Sequence, residues 1–233
     1  MKLTQYLSNQ GYDLIEGPIR NHKPLQLWIK KTFSEAELYY ATLEHAFKSE
    51  EVLIEIENQA LTVNTSNTNE YGFNIGITLL EEILSSLGLG DVEIFASVKT
   101  GKKVVISYDN SITKEYAIGN IESYLSVADF VHPNPQLLKN ANRDNILIIT
   151  GTVFAKNLIV EIETDFSLDV SLIAKLNNIA DGKIDFTMKN NNTLKMISEG
   201  DNFFPIAVKA SRLKFDRSIF EKLTLVTDDR NIF

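Results

Sequence analysis

Residues 145–165 read NILIITGTVFAKNLIVEIETD, and the two halves of the stretch obey different rules. Ile146, Leu147, Ile148 and Ile149 are apolar at every position, the pattern of a strand buried on both faces. Beyond Asn157 the pattern alternates: Leu158, Val160 and Ile162 interleave with Ile159, Glu161 and Glu163, as in a strand with one apolar and one wet face. The fold must supply two settings for what looks like one extended segment.

Upstream of that stretch, Gln136 to Ala141 reads as a short helix. It follows HPNP, whose prolines end an earlier helix expected through Ile121 to Phe130. Two alternating runs, Val92 to Lys99 and Lys103 to Tyr108, are joined by TGKK and form a hairpin signature. Thr78 to Leu87 is expected to be helical, with Thr78 and Glu81 at capping-box spacing and Gly88 as a stop. NTSNTNEYG (64–72) is a polar loop, and Val52 to Glu57 is a strand. Periodicity leaves Glu35 to Lys48 open between helix and strand. Tyr12 to Lys31 looks extended, with Leu25, Leu27 and Ile29 alternating, and Lys2 to Asn9 is a short amphipathic helix ending near Gly11.

Downstream, FSLDVSLIAKLNNIADG (166–182) mixes apolar residues with sparse charge and is too short and polar to cross a bilayer. Lys183 to Lys189 alternates again, KNNNT is a turn, and Ile206 to Phe215 is a last strand. These elements predict one α+β domain, a mostly antiparallel sheet flanked by helices.

Composition narrows the function. Hydrophobic residues at 44% and charged residues at 23% suit a globular chain with a proper core rather than a disordered one. A net charge of −8 argues against general nucleic-acid binding, which needs a basic face. The absence of cysteine removes disulfides, thiol nucleophiles, thiolate metal sites and S-acyl anchors. The amino-terminal residues lack the apolar core of a signal peptide, and no run approaches the length of a membrane-spanning helix, so a soluble, cytoplasmic protein is expected.

Catalytic signals are missing. His22, His45 and His132 stand far apart and form no metal-binding pattern, so surface or core placement is the simpler reading. GLGD and KTGKK carry glycines near lysines but match neither the P-loop nor the dinucleotide fingerprint, and no GxSxG elbow occurs. No enzyme activity, metal or cofactor is expected.

The alternating strands admit two readings. Half-buried strands of any antiparallel sheet look like this. They also fit strands that lengthen and enter lipid, where alternate positions face the hydrocarbon and closure pairs every backbone group. Gly88 to Tyr108 would supply one hairpin. Leu158 to Lys189 would supply another, its connector folding over the sheet until release.

GYDLIEGPI (11–19) followed by KPLQLWIKK (23–31) resembles the amino-terminal part of gasdermins, where an initial helix precedes an aliphatic strand ending in basic residues. NPQLLKNANRDNILIITGTVFAKNLIVEIE (134–163) is similar to the gasdermin segment leading into the second membrane hairpin. FFPIAVKASRLKF (203–215) resembles the strand that closes the pore-forming domain. The resemblance implies a twisted central sheet, a pore-forming domain over 1–216 and a short inhibitory tail over 217–233, as in the short bacterial kind. It further implies a monomer until a partner protease removes the tail, then binding to the inner membrane and homo-oligomerisation. The resulting β-barrel pore would kill the cell in defence against phage. Bacterial members often carry an acylated cysteine near the amino terminus; here positions 2–5 are Lys-Leu-Thr-Gln, so lipid-assisted control has no support.

On that reading Arg20, Lys23, Lys30 and Lys31 are candidates for acidic headgroups, each basic residue contributing on the order of 1 kcal/mol. Val92, Ile94, Ala96 and Val98, with Val160, Ile162, Ile184 and Phe186, are candidate lipid-facing positions, although core packing accounts for the same pattern. Ile219, Phe220, Leu223 and Leu225 would dock the tail, and Arg217 is the candidate cleavage site. Two other classes remain: a non-enzymatic assembly module using a sheet edge, and a hydrolase or transferase with an unrecognised site.

Overall fold

The computed structural model describes residues 7–15, 22–31, 36–60, 103–107, 110–131, 134–156, 159–163, 167–180, 184–198 and 204–226. The start of the amino-terminal helix, Arg20, the 64–72 loop, the 78–87 helix, the 92–99 strand with Val92, Ile94, Ala96 and Val98, and His132 lie outside the described residues.

In chain order the strands are β1 (Asp13–Leu14), β2 (Leu27–Ile29), β3 (Glu37–Tyr40), β4 (Phe47–Lys48), β5 (Glu55–Ala60), β6 (Lys103–Ser107) and β7 (Asn110–Tyr116). Helix α1 (Ile118–Ser126), β8 (Asp129–Phe130) and α2 (Pro135–Ala141) come next. The second half holds β9 (Ile146–Lys156), β10 (Ile159–Glu163), α3 (Val170–Ala180), β11 (Ile184–Asn190), β12 (Thr193–Ser198), β13 (Phe204–Asp216) and β14 (Ile219–Leu225). All pairings are antiparallel, and the result is an α+β fold with a large and a small sheet.

β9 is the axis of the eight-stranded sheet. One edge pairs along β13; the other pairs first with β2 through Ile146–Ile148 and then with β7 from Gly151 onward. The partner changes where the β9–β13 register shifts, at Lys209/Ala210, and there the Thr150 hydroxyl donates to the Lys209 carbonyl at 3.2 Å. The approach is close at Gly151, where a Cβ would lie 3.0 Å from Tyr12 Oη and 3.1 Å from Glu115 Cβ and the neighbours would have to shift.

Both faces of β9 are covered, which explains its unbroken apolar run. Ile146 and Ile148 join Leu27, Phe47, Leu137 and Phe215 in a core reached by α1 and α2. Leu147 and Ile149 join Ile15, Trp28, Val208 and Val226 in another. α2 starts as its sequence dictates: Asn134 Oδ1 accepts from the Gln136 and Leu137 amides, and Pro135 occupies the first turn.

Several expectations are corrected. Glu35–Lys48 resolves into β3, a 3-10 turn at Leu43–His45 and β4. The strand expected from Val52 begins at Glu55. Before it, the Ile54 amide donates to Asn120 Oδ1 and Asn120 Nδ2 donates to the Val52 carbonyl, so a side chain occupies the place of a partner strand. The helix expected at 121–130 is Ile118–Ser126, because Asp129 and Phe130 pair with Lys48 and Phe47. β7 and β12 were not expected at all; NSITKEY offers no apolar face for periodicity to find.

Candidate functional site

The small sheet, ordered β11-β12-β10-β6, holds the described alternating strands together. On one face Val160, Met196 and Phe186 form a cross-strand row, with Ile162, Leu194 and Met188 beside it. Val160, Ile162, Phe186, Leu194 and Met196 are all buried, each contributing about 1.5–3 kcal/mol of transfer free energy. The connector 166–182, left unassigned by pattern, supplies α3. Its Leu176, with Leu168 just before the helix, is buried, whereas Val170 is 72% exposed.

α3 forms because Asp169 caps it. Asp169 Oδ1 accepts from the Leu172 amide at 2.7 Å and the Ser171 hydroxyl at 2.6 Å, and these bonds hold the carboxyl below its usual range, the Ser171 bond foremost. The Leu168 amide donates to Asn191 O, tying the helix start to the β11–β12 turn. The opposite face of the sheet is mixed: Ile159 stands opposite Ile197 and Glu161 opposite Lys195, and Lys189 Nζ reaches Glu161 Oε2 at 2.8 Å.

Along one seam the pairings of the two sheets are in step. Ser107 faces Ile159 and Asn110 faces Lys156, so the β6/β10 and β7/β9 ladders share one register. The other seam does not: Ile159 faces Ile197 whereas Ala155 faces Phe204, leaving extra residues on the side of β12 and β13.

β10 and β11, the two arms of the expected second hairpin, are not paired with each other in this fold. β10 and β11 are both antiparallel to β12, which lies between them, so they run parallel to each other and α3 is a crossover. Ile184 pairs with Ser198 and Phe186 with Met196, neither with β10. The antiparallel neighbours of Val160 and Ile162 are β6 and β12.

Of the described basic candidates, Lys23 precedes β2 and Lys30 and Lys31 follow it. Exposed Lys23 lies at the turn before β2, its amide donating to Gln26 Oε1. Lys30 and Lys31 follow β2, where the Lys30 amide donates to Asn145 O; β9 begins there and runs away from them toward β10. Arg212 and Lys214 join that end through Asp144, the first through its carbonyl at 2.6 Å and the second through its carboxylate at 3.7 Å.

The segment after Asp216 is built into the large sheet. β14 pairs with β13 from Ser211 opposite Leu225 to Asp216 opposite Ile219. Phe220 and Leu223 pack against the core, and the Phe220 ring lies edge-on to Phe215. Ile219 and Leu225 instead are exposed, at 73% and 50%, so they do not dock as expected. Arg217 and Ser218 form the turn, both at positive φ (47° and 71°), where neither residue is at ease.

Elsewhere, Tyr12 Oη donates to Glu115 Oε2 at 3.0 Å while Lys209 Nζ sits 3.3 Å from the same oxygen and 4.6 Å from the Tyr12 ring centroid. Burial first, and then the Glu115 charge, push the Tyr12 hydroxyl well above its ordinary pKa. His22 is buried and stacks on Trp28, and His45 is exposed. Among the described residues no group of carboxylates and histidines converges as a metal site, and no helix is long and apolar enough to cross a membrane.

The sequence model of the Bacterial Gasdermin Family matches residues 15–222. The gasdermin of Vitiosangium sp. (strain GDMCC 1.1324) is 23% identical over 184 residues, spanning 77% of this chain and 68% of that protein. Among solved structures, a bacterial gasdermin from Bradyrhizobium tropiciagri aligns with a TM-score of 0.56 at 13% identity, covering 95% of this chain and 90% of that one, a likeness of fold. The Gasdermin A3 membrane pore aligns with a TM-score of only 0.40 at 11% identity over 98% and 95% of the two chains, too distant to carry an argument. With the family match extending over most of the residues that build both sheets, the chain belongs to the bacterial gasdermin family.

Proposed function

We propose that this chain is a non-enzymatic, autoinhibited pore-forming protein that kills its own cell, in defence against phage. A monomer in the cytoplasm is cut by a partner protease near Arg217, binds the inner membrane and assembles with further copies into a β-barrel. The observation that carries this reading is the shared register of the two ladders, from Lys103 opposite Glu163 to Glu115 opposite Gly151. Together β6 (5 residues) and β7 (7 residues), and β9 (11 residues) and β10 (5 residues), hold enough residues for the roughly 9–11 that a tilted strand needs to cross a bilayer. Their alternation in β10 supplies the two-faced surface of a barrel wall.

On this reading α3 lifts and exposes the row around Val160, Ile162 and Phe186. An arm containing Ile184 and Phe186 must also reverse relative to β10 before the two can pair as a hairpin. The 92–99 strand would complete the first hairpin. Cutting at Arg217 is only the first step, because β14 remains paired and must peel from β13.

The test places a recognition sequence for a sequence-specific protease in the 217–218 turn and measures dye release from acidic-lipid vesicles. Leakage should follow cutting, and a unique dye-labelled cysteine replacing half-buried Met188, which shares the face of Phe186, should report an apolar environment at the same time; the cysteine-free background makes the label unambiguous. Cut protein that sheds β14 yet leaves vesicles intact overturns the proposal. It would favour an assembly module instead, a reading supported by exposed Val52 and Ile54 leading into β5.

A further inference from the structure

β11 ends the small sheet, and the backbone groups on its outer side lack a strand neighbour among the described residues. At Phe186 both groups are nevertheless satisfied. The Phe186 amide donates to Asn177 Oδ1 at 2.6 Å, and Asn177 Nδ2 donates to the Phe186 carbonyl at 2.8 Å. A carboxamide carries one acceptor and one donor group in a plane, as a peptide unit does. Asn177 therefore occupies the position of a neighbouring strand for one residue.

The placement has two consequences. Exposed strand edges recruit further strands, and natural proteins cover or interrupt them. The edge is covered here by a helix that packs on β11: Leu176, adjacent to Asn177 in α3, is buried, as is Phe186. Asparagine is a poor residue for a helix interior, so its presence there needs another reason.

We infer that Asn177 is a positioning residue, a latch whose carboxamide holds α3 on the β11 edge and keeps the second inserting arm shut. This rests on the pore-forming reading for its role, while the latch is measurable without it. α3 cannot lift without surrendering both bonds, and β11 cannot reverse or accept a strand while Asn177 occupies its edge. The pair of bonds thus couples uncovering of the apolar face to release of the edge.

The test uses the full chain with Asn177→Ala and Asn177→Asp, following amide hydrogen exchange at Phe186 and, after cutting at the 217–218 turn, the rate of vesicle leakage. In the Ala variant the Phe186 amide should exchange roughly tenfold faster while β9 and β13 stay protected. The Asp variant distinguishes a latch from general loosening. Below about pH 4 its protonated carboxyl offers a donor and an acceptor and should restore protection. At neutral pH the carboxylate has no donor and repels the Phe186 carbonyl, so protection should be lost. Exchange is compared with the Ala variant at each pH, which removes the effect of pH on the rest of the fold.

Cut Ala variant should leak several-fold faster than cut wild type. Unchanged exchange at Phe186, or an Asp variant that tracks Ala at every pH, overturns the latch. Faster exchange with an unchanged leakage rate makes the clasp merely structural and also overturns it, leaving the pore-forming reading intact. Cut wild type that never leaks sinks that reading and the latch's role with it.

Discussion

The two sheets treat one chain segment in opposite ways. In the large sheet Leu147 and Ile148 are fully buried on opposite faces, each against its own core. In the small sheet Val160 and Ile162 are equally buried, but on one face only, in a sheet whose β11 edge carries a single helix pinned by Asp169 and Asn177. Burial of a residue therefore says little about how its sheet opens. A face covered from two sides yields only with the whole fold, whereas one covered by a helix yields when the helix leaves.

The largest expected effect tests that difference. Leu147→Ala should cost about 2–5 kcal/mol in denaturant unfolding and loosen every element together. Met196→Ala removes a comparable buried side chain, yet its loss should surface as faster hydrogen exchange confined to β10, β11 and β12. Equal and global losses would mean the sheets form one cooperative unit. At the junction, Gly151→Ala forces a methyl against Tyr12 and Glu115 and should cost about 1–3 kcal/mol, read as a lower unfolding midpoint.

Replacing Arg217-Ser218 by Asn-Gly should act in the other direction, stabilising the hairpin by about 1 kcal/mol, since those residues prefer the positive φ the turn imposes. If β14 is the restraint, the same change should slow its dissociation after a cut made in the chain beyond the turn.

The smallest effect concerns acid. Asp169 has a folded pKa below its ordinary value, so its stabilisation of α3 is fully present above about pH 4 and lost as pH falls through the lowered value. Exchange protection at the start of α3 should fall in that range, and Asp169→Asn should flatten the dependence.

Much of the fold was legible because burial leaves a periodic trace. The continuous run at 146–149, the alternation at 159–163 and 184–189, and the short helix at Gln136 to Ala141 all appear in the structure as the sequence implied. α3 escaped notice although Asp169 stands three residues before Leu172, the spacing of a cap ahead of an apolar turn. β7 left no trace because its role is pairing: Lys114 meets Glu55 and Glu57, and Glu115 meets Tyr12 and Lys209. Asn177 was invisible for a related reason, since its value lies in a backbone nine positions away, at no spacing that helix or strand periodicity reads.

By itself the sequence determined which positions of β9, β10 and β11 are apolar and where the short helix α2 lies. These follow from local chemistry and the fixed periods of helix and strand. Tertiary structure alone decided which strands are neighbours and in which direction they run. Alternation assigns a residue to a face without naming its partner; β10 thus paired with β6 and β12, and β11 came to lie parallel to it, its edge held by an asparagine.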